Sequence, residues 1–453
     1  MFVGDIIYVM NDTIVSISTP LGKGAIAIVR MSGAKSLEVA QQLFHCKNNE
    51  IVPRFLHFGK LELEDGLEEC LMVYFKSPFS YTGEDIVEFQ VHGGVLLAQK
   101  VLEACIKKGA RLAEAGEFSK RAFINGKITL DKAEAIIGEI NAETEGELKS
   151  SLQITNGKLA RLILEEQEKL KLLLAEIEVG MDYPDETDET ELQLNIKERV
   201  VEIINNLEKL IKQAASAKYL KNGINVALVG RTNVGKSSVM NALLGEDRAI
   251  VTDIQGTTRD SITESFLYEG VKINLIDTAG IRETEDLVES IGIEKSKDTL
   301  EKADLILVVL DGSMGLTEED KNILDLVKNK KFITIVNKSD KKRILECQYN
   351  EIEISALKNN NIELLKKKIL DTVISEQIDF NSLVLTNERH VGVLSEGKSI
   401  LEEVAKIVEE KSAKLEVLSF MLKKAWKILG KITGNTENED IIDLIFSKFC
   451  LGK

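Results

Sequence analysis

The sequence predicts a multidomain α/β protein: an N-terminal α+β domain, then a discontinuous all-α helical domain interrupted by a parallel α/β domain of Ras-like, P-loop type. Three observations carry this expectation. Short β-like runs and glycine turns fill residues 1 to about 127. From Leu130 the apolar residues recur at three-, four- and seven-residue steps. Between Asn222 and about Ile374, buried β-runs alternate with helical patterns, and the helical period then returns to the end.

In the first region the β-like runs are Ile14–Ser18, Ala25–Arg30, Leu71–Phe75 and Ile86–Val91, with helical stretches near 34–44 and 94–108. All four prolines, at 20, 53, 78 and 184, lie in the first 184 residues, which separates this region from the rest. The helical region carries Ile136, Ile137, Ile140, Leu148, Leu152, Leu159, Ile163, Leu170, Leu173 and Leu174 as its apolar stripe. The acidic stretch Asp182 to Glu191 reads as a solvated loop with a helix N-terminus, where carboxylates complement the dipole. Another helix runs to about Lys221. The α/β region predicts strands at Asn225–Val229, Ile273–Asp277, Leu305–Leu310, Phe332–Asn337 and Glu353–Ser355, in a parallel sheet. The expected domains are 1–127, 128–221, 222–378 and 379–453, with the third inserted into a helical domain made of the second and fourth. No internal repeat is present.

Composition narrows the class. The chain has 453 residues, 44% apolar and 29% charged, which is globular and large enough for several cores. No apolar run approaches the roughly 20 residues of a membrane-spanning helix. The opening residues carry Asp5 and Asp12 and no Lys or Arg before Lys23, unlike a secretory signal or transit peptide; Met10 is an alternative start. Cysteines 46, 70, 105, 347 and 450 lack a C-x-x-C spacing and predict reduced thiols in a cytoplasmic protein. A net charge of −16 repels polyanions, so any nucleic-acid contact must be local or come through a partner.

The chemistry begins at Gly230-Arg-Thr-Asn-Val-Gly-Lys-Ser-Ser238, which follows a β-run and opens a helix. This is the G-x-x-x-x-G-K-[ST] loop in its required context: glycines turn backbone N–H groups toward phosphate, Lys236 neutralises β/γ charge, and the Ser237 hydroxyl reaches Mg²⁺. Asn337-Lys-Ser-Asp340 ends a later β-run. The Asp340 carboxylate accepts from guanine N1–H and N2–H₂, whereas adenine would oppose it with a lone pair. Ser355-Ala356-Leu357 ends the next expected strand and suits a guanine-side backbone contact. Thr257-Thr258-Arg259-Asp260 offers a hydroxyl to Mg²⁺ and the γ-phosphate, Thr258 the better placed. Asp277-Thr278-Ala279-Gly280 offers a carboxylate behind Mg²⁺ and a glycine N–H near the γ-phosphate. Any one of these could be an ordinary loop; in this order they point to GTP hydrolysis.

The hydrolytic machinery must differ from that of Ras. The position after Gly280, where Ras-type enzymes place a water-orienting glutamine, is Ile281. The segment Arg282 to Glu289 supplies carboxylates instead. Arg231 and Arg259 are possible arginine fingers, or surface residues. A monovalent cation could replace a finger's charge, with Asn233 as an oxygen ligand or simply as a loop-stabilising residue.

The residues then resemble one family along the whole chain, the tRNA-modification GTPases of the MnmE (TrmE) type. The resemblance rests on Asp12-Thr-Ile-Val15, Gly24-Ala-Ile-Ala-Ile-Val-Arg30, Tyr81-Thr-Gly-Glu-Asp85 and His92-Gly-Gly94. It continues through Gly116-Glu-Phe-Ser119, Arg121-Ala-Phe-Ile-Asn125, Asp131-Lys-Ala-Glu-Ala135 and Phe449-Cys-Leu-Gly-Lys453. Val91, Leu451 and Tyr183-Pro-Asp-Glu depart slightly from the family's usual residues.

The resemblance implies an N-terminal tetrahydrofolate-binding and dimerisation domain, with 5,10-methylene- or 5-formyl-tetrahydrofolate held by Arg30, Glu88, Lys127 and Lys453. It implies a homodimer that works with the flavoprotein MnmG, which carries the FAD, in a heterotetramer. Together they place an aminomethyl-type group, such as carboxymethylaminomethyl, at C5 of wobble uridine in certain tRNAs. The implied nucleotide set is Asn233, Val234, Gly235, Lys236, Ser237, Ser238, Thr252, Asp253, Ile254, Gln255, Gly256, Thr257, Thr258, Asp277, Thr278, Ala279, Gly280, Asn337, Lys338, Asp340, Ser355, Ala356 and Leu357. Mg²⁺ falls to Ser237 and Thr258, K⁺ to Asn233, Thr252, Ile254 and Thr257, and the water-orienting role to Glu289.

Other features read more plainly. Cys450 has the register of a prenylation box, but Gly452 and Lys453 do not fit one; it reads as a packed thiol, or a redox-active one. His45, His57, His92 and His390 lack zinc-ligand spacing. Lys423, Lys424, Lys427 and Lys431 around Trp426 suit a helix end, or a tRNA-phosphate patch. Two rival classes are a switch GTPase of ribosome assembly and a membrane-remodelling GTPase; the second lacks a lipid-binding helix.

Overall fold

The computed structural model describes residues 12–46, 50–185, 188–245, 263–277, 300–345, 351–374, 385–410 and 414–453. The chain divides into two compact units. One is assembled from 1–140, 151–207 and 392–453, the other from 141–150 and 208–391.

In the first unit the strands are β1 (Ile14–Ile17), β2 (Ile26–Ser32), β3 (Phe44–Cys46), β4 (Leu56–Leu63), β5 (Gly66–Phe75), β6 (Ile86–His92) and β7 (Arg111–Leu112). They form a seven-stranded sheet in the order β3-β4-β5-β6-β2-β1-β7. Every pair is antiparallel except β1 with β7. Helices Ser36–Leu43 and Val95–Lys107 pack Val39, Ala40, Ala98, Val101 and Cys105 against Val29, Met31, Met72 and Phe89 of the sheet. Each fully buried large aliphatic side chain there contributes roughly 1.5–3 kcal/mol.

The four β-runs and two helices expected from sequence are present. Strands β3, β4 and β7 and the helix Glu117–Ile124 were not expected. In β4 the binary pattern is inverted: Leu56 and Phe58 are exposed while His57 is buried. Gly59 sits there because a Cβ would lie 2.5 Å from both Phe44 Cζ and the His45 carbonyl oxygen.

The helices of this unit follow their apolar spacing. On Lys158–Asp182, Leu159, Ile163, Leu170, Leu173 and Ile177 are fully buried, and Gln167 Nε2 donates to the Trp426 carbonyl on helix Leu415–Gly430 at 2.9 Å. The expected stripe fails at Ile140, Leu148 and Leu152, which are 45, 40 and 44% exposed. For Leu148 and Leu152 the reason is a break: one helix ends at Asn141 and the next starts at Glu145, so the phase is lost; Ile140 lies at the exposed end of the first helix.

The second unit contains β8 (Ile224–Val229), β9 (Thr263–Tyr268), β10 (Val271–Asp277), β11 (Leu305–Asp311), β12 (Phe332–Asn337) and β13 (Glu351–Glu353). Their order is β13-β12-β11-β8-β10-β9. The sheet is parallel except at β9, which runs antiparallel to β10 and corrects the all-parallel expectation. The polar residues Thr263, Glu264 and Ser265 leave β9 without a continuous apolar run. β13 also ends two residues earlier than expected, so Ser355 follows the strand and forms an isolated bridge with Asn360.

Both faces of this sheet are covered, which is why its central strands are mostly apolar; all seven residues of β11, including Asp311 at its end, are buried. Ile224, Val226 and Leu228 of β8 join Val239 and Leu243 of helix Lys236–Leu244 and Leu365 and Ile369 of helix Ile362–Val373. Ala227 and Val229 join Leu324 and Val327 of helix Glu318–Val327. Lys272 on β10 ion-pairs with Glu143.

Candidate functional site

Strand order places the nucleotide site. β8 has β10 on one side and β11 on the other, so the chain direction across the sheet reverses there and leaves a crevice beyond its carboxyl end. The register aligns Val229 with Val308, the Asp277 main chain with Leu228, and Asp311 with Asn337. Gly230, Asp311, Asn337 and the backbone of Asp277 therefore meet at one edge.

The loop from Gly230 to Gly235 is shaped by its contacts. Gly230 has φ +154°, and a Cβ on it would come 2.5 Å from the Val309 carbonyl oxygen. Asn233 is left-handed at φ +65°, and Gly235, at φ +97°, leads into the helix Lys236–Leu244. A Cβ on Gly235 would lie 2.4 Å from Asn337 Nδ2. The N-cap is Gly235, which has no side chain to cap the first turn; a helix N-terminus directs N–H groups and positive dipole toward an anion, and the exposed Ser237 and Ser238 lie in that turn. Lys236 Nζ donates to the Gly230 and Arg231 carbonyls at 2.7 and 2.9 Å, which holds the ammonium over the loop.

The guanine-side residues are tied to that loop. The buried Asn337 amide donates to the Val234 carbonyl at 2.9 Å and accepts from the Ala356 N–H at 3.2 Å. One side chain thus joins the phosphate loop, the end of β12 and the turn after β13. Lys338, left-handed at φ +67°, donates to the Asn233 carbonyl at 2.9 Å and to Asp311 Oδ2 at 2.6 Å. Burial disfavours the Asp311 carboxylate, but Lys338 and the Ser313 hydroxyl outweigh it and hold its pKa below the ordinary value. Ser355 Oγ donates to Asp340 Oδ1 at 2.6 Å, and this hydrogen bond lowers the Asp340 pKa and turns its carboxylate. Leu357 is 85% exposed beside them.

Thr252, Asp253, Ile254, Gln255, Gly256, Thr257, Thr258, Arg259, Thr278, Ala279, Gly280, Ile281 and Glu289 lie outside the described residues. Of the two arginine-finger candidates, Arg231 is engaged within the unit: its Nε lies 3.4 Å from Asp320 Oδ2 and its Nη2 contacts Met314 Sδ at 3.4 Å.

The N-terminal candidates lie on the first sheet and its rim. Arg30 and Glu88 are directly opposite on β2 and β6, and Arg30 Nε donates to Glu88 Oε1 at 2.7 Å. The Arg30 guanidinium also lies 6.0 Å from the Tyr81 ring centroid and 5.9 Å from that of Phe118. Tyr81 and Ser119 hydroxyls are 2.8 Å apart. A Cβ on Gly83 would meet Lys127 Cε at 3.0 Å, so the lysine stem runs along the 81–85 turn. The tail reaches the same sheet: Ser18 Oγ donates to the Gly452 carbonyl at 3.1 Å, next to Lys453. Gly452, at φ +92°, has no room for a Cβ, which would lie 2.3 Å from the Ile17 carbonyl oxygen.

Comparison with known proteins places the chain in a family. The family described as "MnmE helical domain" matches residues 130–450, and "GTP-binding protein TrmE N-terminus" matches 13–127. A Clostridioides difficile (strain 630) protein named tRNA modification GTPase MnmE is 43% identical over 458 residues, covering 98% of this chain and 100% of its own length. An Aquifex aeolicus (strain VF5) protein of the same name is 42% identical over 450 residues, with coverage of 98% and 100%. The chain belongs to the MnmE family.

For an MnmE-family chain, the N-terminal domain holds a feature that sequence reading missed. Arg121, 1% exposed, donates to Asp12 Oδ1 at 2.7 Å, Glu117 Oε1 at 2.9 Å and Glu84 Oε1 at 3.2 Å. Arg111 pairs with Asp12 at 2.7 Å and Glu117 at 2.6 Å, and Ser32 Oγ donates to Glu84 at 2.7 Å. Burial works against the Asp12 and Glu117 carboxylates, yet the two arginines together hold both pKa values down. The MnmE-like segments at 12–15, 81–85, 116–119 and 121–125 supply Asp12, Glu84, Glu117 and Arg121, so that part of the signal lay in recognised motifs whose convergence was hidden; Arg111 and Ser32 lie outside them. Burial raises the thiol pKa of Cys70 and Cys105 to about 12, which makes them inert, while Cys450 is exposed. Lys423 is paired with Glu178 at 3.1 Å, which reduces the charge of the lysine cluster around Trp426. Among the described residues, no helix is long and apolar enough to cross a membrane.

Proposed function

We propose that this MnmE-family chain binds and hydrolyses GTP and uses that cycle in tRNA modification. The product would be an aminomethyl-type group, such as carboxymethylaminomethyl, at C5 of wobble uridine in certain tRNAs. The observation that carries the nucleotide reading is the coupling of Asp340, Ser355 and Asn337 to the phosphate loop. It presents an acceptor to guanine on the same scaffold that presents N–H groups to phosphate. Calorimetric titration with GDP and with ADP tests it: GDP is expected to bind and ADP not. Equal affinity would remove the guanine reading.

In this proposal Gly235 to Ser238 and Lys236 hold the phosphates. Mg²⁺ falls to Ser237 and Thr258, and K⁺ to Asn233, Thr252, Ile254 and Thr257; the exposed Ser237 hydroxyl at a helix N-terminus and the exposed Asn233 fit such ligation. Held there, the cations supply positive charge against the phosphate oxygens. Glu289 orients the attacking water and accepts a hydrogen bond from it, the role that Ile281 cannot fill. Residues 252–258, Asp277 and Thr278–Gly280 form the nucleotide-sensing loops.

The one-carbon unit would come from 5,10-methylene- or 5-formyl-tetrahydrofolate in the N-terminal domain. The Glu88 carboxylate complements the amino-pyrimidinone donors of a pterin, and Lys127 and Lys453 complement the glutamate tail. The proposed working form is a cytoplasmic homodimer joined through residues 1–127 and associated with the flavoprotein MnmG. The domains would be 1–127, 128–221, 222–378 and 379–453. Mass spectrometry of wobble nucleosides from a deletion strain tests the tRNA step, with unmodified C5 expected.

A further inference from the structure

We infer that Asp311 is a positioning residue of the nucleotide site, whose carboxylate sets Lys338 and, through it, the phosphate-loop backbone at Asn233. The inference deepens the guanine-nucleotide reading above and rests on it.

The two carboxylate oxygens do different things. Oδ1 accepts from the Ser313 N–H at 3.0 Å and the Ser313 hydroxyl at 2.6 Å, which closes the turn after β11. Oδ2 accepts from Lys338 Nζ at 2.6 Å. The same ammonium donates to the Asn233 carbonyl at 2.9 Å. The result is one path of charge-assisted hydrogen bonds from the end of β11, across the guanine loop, to the phosphate loop.

Lys338 needs such support. It stands at φ +67°, a left-handed conformation that a lysine rarely adopts and that persists only when the surroundings over-determine it; Asn233, at φ +65°, is a residue type that tolerates this region better. Asp311 is 6% exposed, so the carboxylate side of the pair is buried while Lys338 stays partly exposed. β11 and β12 place Asp311 and Asn337 in register, which brings the carboxylate beside the start of the Asn337–Asp340 loop. Gly312 reinforces the alignment: its N–H donates to the Asn337 carbonyl at 2.9 Å, and a Cβ there would meet Val336 Cγ1 at 2.8 Å. None of this requires Asp311 to touch nucleotide.

Asp311→Asn keeps the size of the side chain and an oxygen for Ser313, but removes the charge that holds Lys338. Losing a charged hydrogen bond of this kind should speed GDP dissociation by at least about tenfold. KM for GTP should rise with it, while kcat at saturation stays within about threefold, because bound nucleotide restores the loop. A double-mutant cycle separates positioning from general stability. In a Lys338→Met background, Asp311→Asn should add no further effect, whereas a purely structural role would add in full. Ser313→Ala removes only the turn closure and should leave GDP dissociation unchanged.

Unchanged GDP dissociation in Asp311→Asn, additive effects in the cycle, or an equal effect of Ser313→Ala would each overturn the inference. If Asp311→Asn does not fold, Lys338→Met alone decides: unchanged GDP dissociation overturns the inference and a tenfold or greater increase supports it. A parent protein that binds no GDP would overturn the guanine reading and this inference together; a parent that binds GDP with the variant unaffected would overturn this inference alone.

Discussion

Arg121 shows how much one buried charge can demand of its surroundings. A guanidinium taken out of water costs several kcal/mol unless its donors are paired, and here Asp12, Glu84 and Glu117 supply the acceptors. Arg121→Met leaves Glu84 without its cation and Asp12 and Glu117 with Arg111 alone, so the unfolding midpoint of the full chain should fall by an amount equivalent to about 3–5 kcal/mol. An unchanged urea midpoint would show the cluster to be dispensable. Glu117 gives the pH dependence. Its folded pKa lies below the unfolded value, so its contribution is fully present above the ordinary carboxylate range and is lost as pH falls through the lower folded pKa. The stability difference between the parent and Glu117→Gln should therefore be constant from about pH 8 to pH 5 and shrink only below the ordinary value. Shrinkage near neutrality would contradict the assigned direction. At the proposed catalytic residue, Glu289→Ala should retain GTP binding and slow hydrolysis by about a hundredfold or more. A parental rate would return the role to Glu283, Glu285 or Asp286.

At the scale of elements, legibility in the sequence followed burial pattern. β11 was readable because both its faces are covered and all seven residues are apolar or, at Asp311, committed to a neighbour. β4 was not, because Leu56 and Phe58 face outward and His57 inward, so alternation pointed to the wrong face. β9 was missed because an edge strand needs only one buried side, and Phe266 with the partly buried Tyr268 meets that need. The phosphate loop was legible because its glycines are demanded locally; the Arg121 cluster was not, because its members are separated by up to 109 residues. The carboxyl-terminal tail tests the N-terminal site at this scale. Gly452→Ala would force a Cβ against the Ile17 carbonyl and displace Lys453 from β1. The expected result is at least about tenfold weaker 5-formyl-tetrahydrofolate binding by calorimetry, with GDP affinity unchanged. Unchanged folate affinity in this variant, and after deletion of Cys450–Lys453, would take the tail out of the site.

For the whole molecule, the proposed GTP cycle requires charge stabilisation that this chain does not obviously supply through arginine. Arg231 is held by Asp320 and Met314. Single-turnover hydrolysis should be much faster in KCl than in NaCl at matched ionic strength, and the difference should collapse in Asn233→Ala. Equal parental rates in the two salts would end the cation mechanism; stimulation that survives intact in Asn233→Ala would keep the ion and move its ligands. Pairing of two GTPase domains over the cation loop would exclude water and hold it closed. The three-part fold was legible in the sequence because each part has its own hydrophobic period. The functional coupling between its parts was not, since periodicity records which face is buried and not what a nucleotide does to it.

The strand orders also bear on how the protein behaves when crowded. Among the described residues, three of the four sheet borders are very short: β3 and β13 have three residues each and β7 two. Such stubs give another chain little backbone to pair with, so they discourage runaway self-assembly. The fourth border, β9, is six residues long. It carries Glu264, and Lys366 sits 5.5 Å from the Phe266 ring. A second copy zipping onto β9 in a register that sets the two Glu264 side chains opposite each other would meet like-charge repulsion, which disfavours that pairing at the one border that length leaves open.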